Sequence, residues 1–399
     1  MNILYIVPNP PSLVRVRPYN LVAHLQKRGH RITVATTWAD RGERDDIERL
    51  RAQGLNVVAA RLTKPRIGIN LASALVSGKP LQAEYCWQPE LGSLISRRIS
   101  QFDVAHVEHL RGARYGLEIK SQIPVVWDSV DCITYLFEQA SQHSQSVTSR
   151  IMTLMELGRT RKHEGWLVRQ FDQVLVTSET DRQALDRLGN RPDINVLPNG
   201  VDLGYFTPTD EPRKANLLVF SGKMSYHANV TAALYLANQV MPIVWARRPE
   251  VRLVIAGSQP TSSVRKLAKA YPTRVIVTGF LPDLRMPLRQ ASISIAPLLY
   301  GAGIQNKVLE AMACGTPVVA SPLAISALRA HPEQDCLVAA SPPAFADAIL
   351  RLLADESLRE CIGAAGRRYV ETHHNWETIA AQLESIYARS IEHVRAPSH

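Results

Sequence analysis

Short apolar runs alternate with helical stretches along the whole chain, in two series separated by one break rich in proline, glycine and asparagine. The first series holds ILYIV (3–7), RITVATT (31–37), LNVVAA (55–60), VAHVEH (104–109), PVVWDS (124–129) and QVLVTS (173–178). Between its early members lie VRPYNLVAHLQKRGH (16–30), apolar near i, i+3 and i+4, and the charged RGERDDIERLRAQG (41–54), closed by glycine. Apolar runs of this length with helices between them are the pattern of βαβ units, whose parallel strands are covered on both faces. VLPNGVDLGYFTP (196–208) reads as a linker. A second series follows: LLVFSG (217–222), a helix from about 229 to 247, VRLVIAG (251–257), VIVTG (275–279), SISIAP (292–297), PVVAS (317–321) and CLVAA (336–340). The expected fold is α/β, with two doubly wound Rossmann-like domains, 1–197 and 198–373, facing a central cleft at the carboxyl ends of their strands. The segment 374–399 carries an amphipathic helix over about 375–393, suited to packing back on either domain, with the N-terminal one taken as its partner.

Composition narrows the class. A chain of 399 residues is long for one core, so two domains of about 200 residues each are expected. No segment is long and apolar enough to span a bilayer, and MNILYIVPNPP lacks a basic start and reads as a first strand, not a signal peptide. The five cysteines are scattered and never spaced as CxxC, which argues against a disulfide framework or a zinc site and fits a reducing cytoplasm. A net charge of +10 admits nucleic acid, an anionic membrane surface or anionic small molecules as partners. No nucleic-acid-binding pattern is visible. The densest basic stretch, RTRKHEGWLVRQ (159–170), reads as a solvated helix face or as a contact with the inner membrane surface or a phosphorylated acceptor.

The stretch YGAGIQNKVLEAMACGTPVVAS (300–321) places Glu310 among Val308, Leu309, Ala311 and Met312, with Lys307 one turn ahead. Charges in such surroundings require a partner, either another side chain or a ligand. The GAGIQN loop offers backbone N–H groups at a helix N-terminus, an anion site, and Gly301 and Gly303 allow close approach. Lys307 can meet the same anion as a point charge.

The order PNGVDLGYF, FSGKM, VIAG, VTGF and GAGIQNKVLEAMACGTPVVAS resembles the family 4 glycosyltransferases, which have the GT-B fold, over nearly the whole chain. GIQNKVLEAMA, VFSGKM followed by Asn229, and WDSVD look like the exopolysaccharide-associated, EpsH-type subgroup of bacterial sugar transferases. The resemblance implies a retaining, metal-independent transfer of a sugar from a nucleoside-diphosphate sugar to a carbohydrate, lipid-linked or small-molecule acceptor, with no resident cofactor. It implies a cytoplasmic enzyme, peripheral to the membrane, with the donor in the C-terminal domain and the acceptor in the N-terminal one. On the donor side it implies Glu310 on the ribose, Lys307 and Lys223 on the phosphates, and contacts from Gly222, Gly279, Phe280, Gly303, Ile304, Gln305 and Asn306. Many relatives carry a second glutamate eight residues before the first; here Ala302 stands there, which leaves the sugar open. A family lysine after Lys223 is also missing, and Asn229, in that region, is expected to cap the next helix. A histidine found after a first-domain strand in many relatives is missing too.

On the acceptor side, Asp128 and Asp131 are candidates for sugar hydroxyls or, alternatively, helix N-caps. His106 and His109 are candidate acceptor contacts or satisfied structural histidines. Arg15 and Arg17 are expected to contact the donor pyrophosphate or an acceptor phosphate, or to lie in a solvated basic loop. Three rivals stand beside the transferase: a sugar-nucleotide epimerase of the same architecture, a non-catalytic nucleotide-binding relative and a dinucleotide oxidoreductase. The last is disfavoured because GAGIQN lacks the third glycine.

Overall fold

A computed structural model of the chain describes residues 1–143, 147–301 and 303–395. It divides into two compact units: residues 1–198 together with 376–399, and residues 199–375. Each is built on one parallel sheet.

The first sheet contains β1 (Asn2–Val7), β2 (Arg31–Trp38), β3 (Asn56–Arg61), β4 (Val104–Glu108), β5 (Val125–Val130), β6 (Gln173–Val176) and β7 (Asn195–Val196). Its order is β3-β2-β1-β4-β5-β6-β7. The chain winds outward from β1, then returns to lay β4 against the other side of β1, in register Ile3 with Val104 and Ile6 with Val107. β7 takes up the first residue of the stretch expected to be linker: Val196 pairs with Val176. The second sheet contains β8 (Lys214–Ser221), β9 (Arg252–Ala256), β10 (Val275–Val277), β11 (Ala291–Ala296), β12 (Val318–Ala320) and β13 (Leu337–Val338). Its order, β10-β9-β8-β11-β12-β13, reverses in the same way between β8 and β11. In open parallel sheets ligands bind beyond the carboxyl ends of the strands at such a reversal.

β4 and β11 are buried along their whole length because helices cover both faces of each sheet. Helix starts are marked as the chemistry requires: the side chains of Asp40, Ser178, Thr261 and Ser341 accept from the backbone N–H three residues on. The helix Trp376–Arg395 belongs to the first unit. It packs on the helix Val16–Lys27, and Trp376, Ile379, Leu383 and Tyr387 join Leu21, Val22 and Leu25 in one buried cluster. Full burial of each such side chain stabilises by about 1.5–3 kcal/mol. The two ends of the second unit are tied to each other: Val201 bridges Asn375, and His374 Nδ1 lies 2.6 Å from the Asn199 carbonyl oxygen.

Candidate donor and acceptor sites

At the reversal of the second sheet, β8 leads into Gly222 and Lys223, and β11 runs on to the loop containing Gly301 and Gly303. Both glycines have positive φ, 153° and 68°. Ile304 is buried and anchors this loop in the core, so what Ile304 offers a ligand is backbone. The helix Asn306–Ala313 then begins with no side chain capping it. Its Val308, Leu309, Ala311, Met312 and Ala313 are buried, whereas Asn306, Lys307 and Glu310 are half-buried on the remaining face. Spacing of three and four residues puts Asn306, Lys307 and Glu310 together. Lys307 Nζ donates to Gln305 Oε1 at 3.1 Å, and Gln305 Nε2 donates back to the Gly303 carbonyl at 3.4 Å. Among the described residues the Glu310 carboxylate has no hydrogen-bond or ion-pair partner. Burial raises its pKa to about 7, against a smaller opposing pull from Lys307. Burial likewise lowers Lys307 to about 8, with Glu310 opposing. Asn306 also faces the start of the unit, where Asn199 Nδ2 stands 3.5 Å from its Oδ1.

The neighbouring loop is held by backbone contact. A Cβ on Gly257, just beyond β9, would lie 1.8 Å from the Gly222 carbonyl oxygen. Lys223 is exposed, and its ammonium has no partner among the described residues. Asn229 does not cap its helix. The cap position is Tyr226, and Asn229 sits inside the first turn, donating from Nδ2 to the Lys223 carbonyl at 3.0 Å. Its Oδ1 is buried with no partner. Gly279 adopts φ 70° just past β10, and Phe280 after it is 74% exposed. Ala302 lies outside the described residues, so the substitution for the second glutamate has no structural account.

The first unit changes the reading of its candidates. Arg17 is 6% exposed and gives both Nε and Nη2 to Asp128 Oδ2, at 2.9 and 2.6 Å, and Nη1 to the Leu197 and Pro198 carbonyls. Asp128 is fully buried and also accepts from the Val130 N–H at 3.0 Å. Burial alone would raise its pKa, but Arg17 and then His106 hold it down to about 2. His106 is fully buried, stacked on Tyr5 at 4.3 Å, and its Nδ1 is 2.9 Å from the Tyr387 hydroxyl. Arg17, Asp128 and His106 therefore form an internal tie between the first helix, the sheet and the last helix. For Arg17 and Asp128 this departs from the ligand contacts expected, whereas His106 takes the structural place that was its alternative. Arg15 is no solvated loop cation either: it pairs with Glu43 at 2.6 Å, and 35% of its side chain remains exposed.

Asp131 and His109 stay at the carboxyl edge. Asp131 is half-buried, accepts from the Thr177 hydroxyl at 3.3 Å, and is raised to about 7 by burial and then by the Asp181 charge. Neither aspartate caps the helix Ile133–His143. Glu164, from the helix Val147–Leu167, accepts instead from the N–H groups of Ile133 and Thr134 and from the Thr134 hydroxyl. The sequence reading missed Glu164. Its signal was a lone acid in a basic stretch, at helical spacing from the buried Thr160, Leu167 and Val168. His109 and Val130, at the ends of adjacent strands, have φ of 67° and 68°. Non-glycine residues held so cost about 1–3 kcal/mol each and gather at functional sites. Burial and then Arg111 depress His109 to about 3, so its ring is neutral at physiological pH. No group of three or more His, Cys, Asp or Glu is placed to hold a metal among the described residues.

Residues 14–205 match the model of Glycosyltransferase Family 4, and residues 215–355 that of Glycosyl transferases group 1. A phosphatidyl-myo-inositol mannosyltransferase of Mycobacterium tuberculosis is 28% identical over 260 residues, 62% of this chain and 66% of that enzyme. The GDP-mannose-dependent monoacylated alpha-(1-6)-phosphatidylinositol monomannoside mannosyltransferase of Corynebacterium glutamicum is 31% identical over 53% of this chain and 60% of its own length. The match thus spans somewhat less than two thirds of these relatives. The sucrose-phosphate synthase of Thermosynechococcus elongatus has the same fold, with a TM-score of 0.70 at 20% identity over 97% of this chain and 98% of that one.

Proposed function

We propose, from the premise that the chain belongs to the family 4 glycosyltransferases, that it moves a sugar from a nucleoside-diphosphate sugar to an acceptor hydroxyl with retention of configuration. The process served is bacterial glycoconjugate or polysaccharide synthesis, and the narrower likeness to the exopolysaccharide-associated subgroup belongs to the same proposal. One observation carries the reading. A half-buried carboxylate and ammonium share the unpacked face of a helix at the sheet's reversal, and Glu310 has no partner there among the described residues. A ribose diol would donate to Glu310, and a diphosphate would meet Lys307, Lys223 and the uncapped N–H groups of the helix Asn306–Ala313.

In this reading the acceptor hydroxyl attacks from the face that the nucleotide leaves, and the departing phosphate takes its proton. Catalysis then comes from orientation and from stabilising the charge on the leaving diphosphate. Neither a resident cofactor nor a metal is asked for, so chelation should leave turnover unchanged. In this reading a sugar hydroxyl would meet Asp131 and the neutral, conformationally strained His109 at the carboxyl ends of the first sheet. Both family matches are to transferase models, and nothing in them favours the epimerase. The mannosyltransferase relatives, one of them named as GDP-mannose dependent, put a guanine nucleotide and a lipid-borne acceptor first among those to try. They also fit a cytoplasmic protein working against a membrane surface. No helix among the described residues is long and apolar enough to cross one.

The test is a thermal-shift panel of GDP, UDP, ADP and dTDP with their sugars, followed by product analysis with the donor that binds. Stabilisation by one base, lost in Glu310→Ala, is expected. No shift with any nucleotide would overturn the reading, and binding without sugar release would favour the non-catalytic relative.

A further inference from the structure

The helix His227–Tyr235 follows the loop that carries Lys223, and its first turns meet the segment just before Gly301. Tyr300 lies against it, its ring stacked on that of His227 with centroids 5.2 Å apart and planes 11° from parallel. The Tyr300 hydroxyl is 2.8 Å from His227 Nδ1 and 3.2 Å from Thr231 Oγ1. His227 and Thr231, four residues apart, are neighbours on one face of the helix. One direction of donation makes all the contacts. The Thr231 hydroxyl gives its hydrogen to the His227 carbonyl at 3.0 Å, so its oxygen is left to accept from the Tyr300 hydroxyl. The Tyr300 oxygen then accepts from Nδ1–H of His227.

The same helix holds the other donor loop. Buried Asn229 gives Nδ2 to the Lys223 carbonyl at 3.0 Å, and a Cβ on Gly222 would lie 2.8 Å from that nitrogen. On the far side Tyr300 passes directly into Gly301, whose φ of 153° suits glycine. The Gln305 amide nitrogen is 3.7 Å from the place a Cβ of Gly301 would take, and the Gln305 side-chain oxygen holds Lys307 Nζ at 3.1 Å. One line of contacts thus runs from His227 and Thr231 through Tyr300, Gly301 and Gln305 to Lys307. The helix brackets both segments that carry the donor cations.

We infer that Tyr300 is a positioning residue for the donor: its hydroxyl, fixed by His227 and Thr231, sets the seat of Gln305 and so the place of the Lys307 ammonium relative to Lys223. The inference rests on the donor reading of Lys307 and deepens it. An ammonium already held where a diphosphate will lie loses less freedom on binding, which is the gain from holding it in advance. Tyr300 acts through Gln305 and Lys307 and needs no contact with the nucleotide. Its ring alone could fill the space beside His227; the hydroxyl is what joins two loops whose members stand 73 positions apart.

The test titrates GDP, UDP, ADP and dTDP calorimetrically into the full chain and carries the tightest of them to the variants. Tyr300→Phe keeps the ring and removes only the hydroxyl; its Kd should rise about three- to tenfold, the span of one neutral hydrogen bond. His227→Ala should weaken binding likewise, and His227→Asn, whose amide nitrogen takes the place of Nδ1, should restore it. In a Lys307→Ala background Tyr300→Phe should change nothing further, because the two side chains act along one line. A tyrosine that only supports the fold would weaken both backgrounds alike. Unchanged affinity in Tyr300→Phe would overturn this inference alone. So would an equal loss in both backgrounds, or a His227→Asn variant no tighter than His227→Ala. A wild-type chain that binds none of the four nucleotides would instead overturn the donor reading, and this inference with it.

Discussion

Glu310 and Lys307 each sit where burial opposes their charged form, so their protonation reports on whatever occupies the space beside them. With Glu310 at about 7 and Lys307 at about 8, the fully charged pair is most populated between those values. A diphosphate nucleotide needs the carboxylate ionised and the ammonium protonated. Its affinity should therefore fall below about pH 7 as Glu310 gains a proton, and above about pH 8 as Lys307 loses one. Isothermal titration across pH 6 to 9 measures this, and a flat profile would dissociate the pair from binding. Lys307→Ala should lower kcat by roughly 10²–10³-fold if it steadies the leaving diphosphate; near-normal turnover would remove it from that role. Asp128 calls for a different outcome. Asp128→Ala leaves Arg17 buried without its counter-charge and should cost about 3–5 kcal/mol in urea unfolding. Because its pKa is depressed to about 2, the stability Asp128 supplies is present above the usual aspartate range and is lost as pH falls towards 2. Activity lost at undiminished stability would instead make Asp128 a ligand contact. Glu310 was readable in the sequence because a charge interrupts an otherwise apolar run. Asp128 was not, because an ion pair with a residue 111 positions away leaves no local pattern.

Among the elements, the strand ends were the most legible and their loops the least. Parallel strands buried on both faces read as unbroken apolar runs, so nearly all of them could be located from composition alone. β7 escaped notice: two residues paired only with β6 have no periodicity to read. The positive φ of Val130 was equally hidden, since a β-branched residue rarely adopts a left-handed conformation, and that of His109 had no more than histidine's general tolerance of it as a signal. The contact between Gly222 and Gly257 joins two loops that the sequence shows only as separate glycines. Gly257→Ala would force those loops apart and should cost about 1–3 kcal/mol through overpacking, while weakening nucleotide binding through displacement of Lys223. Unfolding curves and nucleotide-induced shifts measure the two effects, and a wild-type shift would mean that the loop leaves the donor alone.

In the whole molecule, the two series of strands foretold two sheets, and the repeated reversal of strand order put the donor candidates at the carboxyl ends of the central strands of the second. The first unit is completed by a helix that the chain reaches only after leaving the second. Removing residues 376–399 would strip the cover from Leu21, Val22 and Leu25 and leave His106 without the Tyr387 hydroxyl. Such a truncation should unfold the first unit while residues 199–375 keep a cooperative transition. A single transition at the wild-type temperature would contradict the division. The same arrangement bears on biosynthesis. Chain growth delivers the second unit entire before the closing helix of the first has left the ribosome, so the N-terminal sheet must wait, partly uncovered, while a later sheet folds. Until that helix emerges, the first unit keeps an open hydrophobic flank while the second folds, an ordered opportunity for chaperones that a chain of strictly consecutive domains does not present.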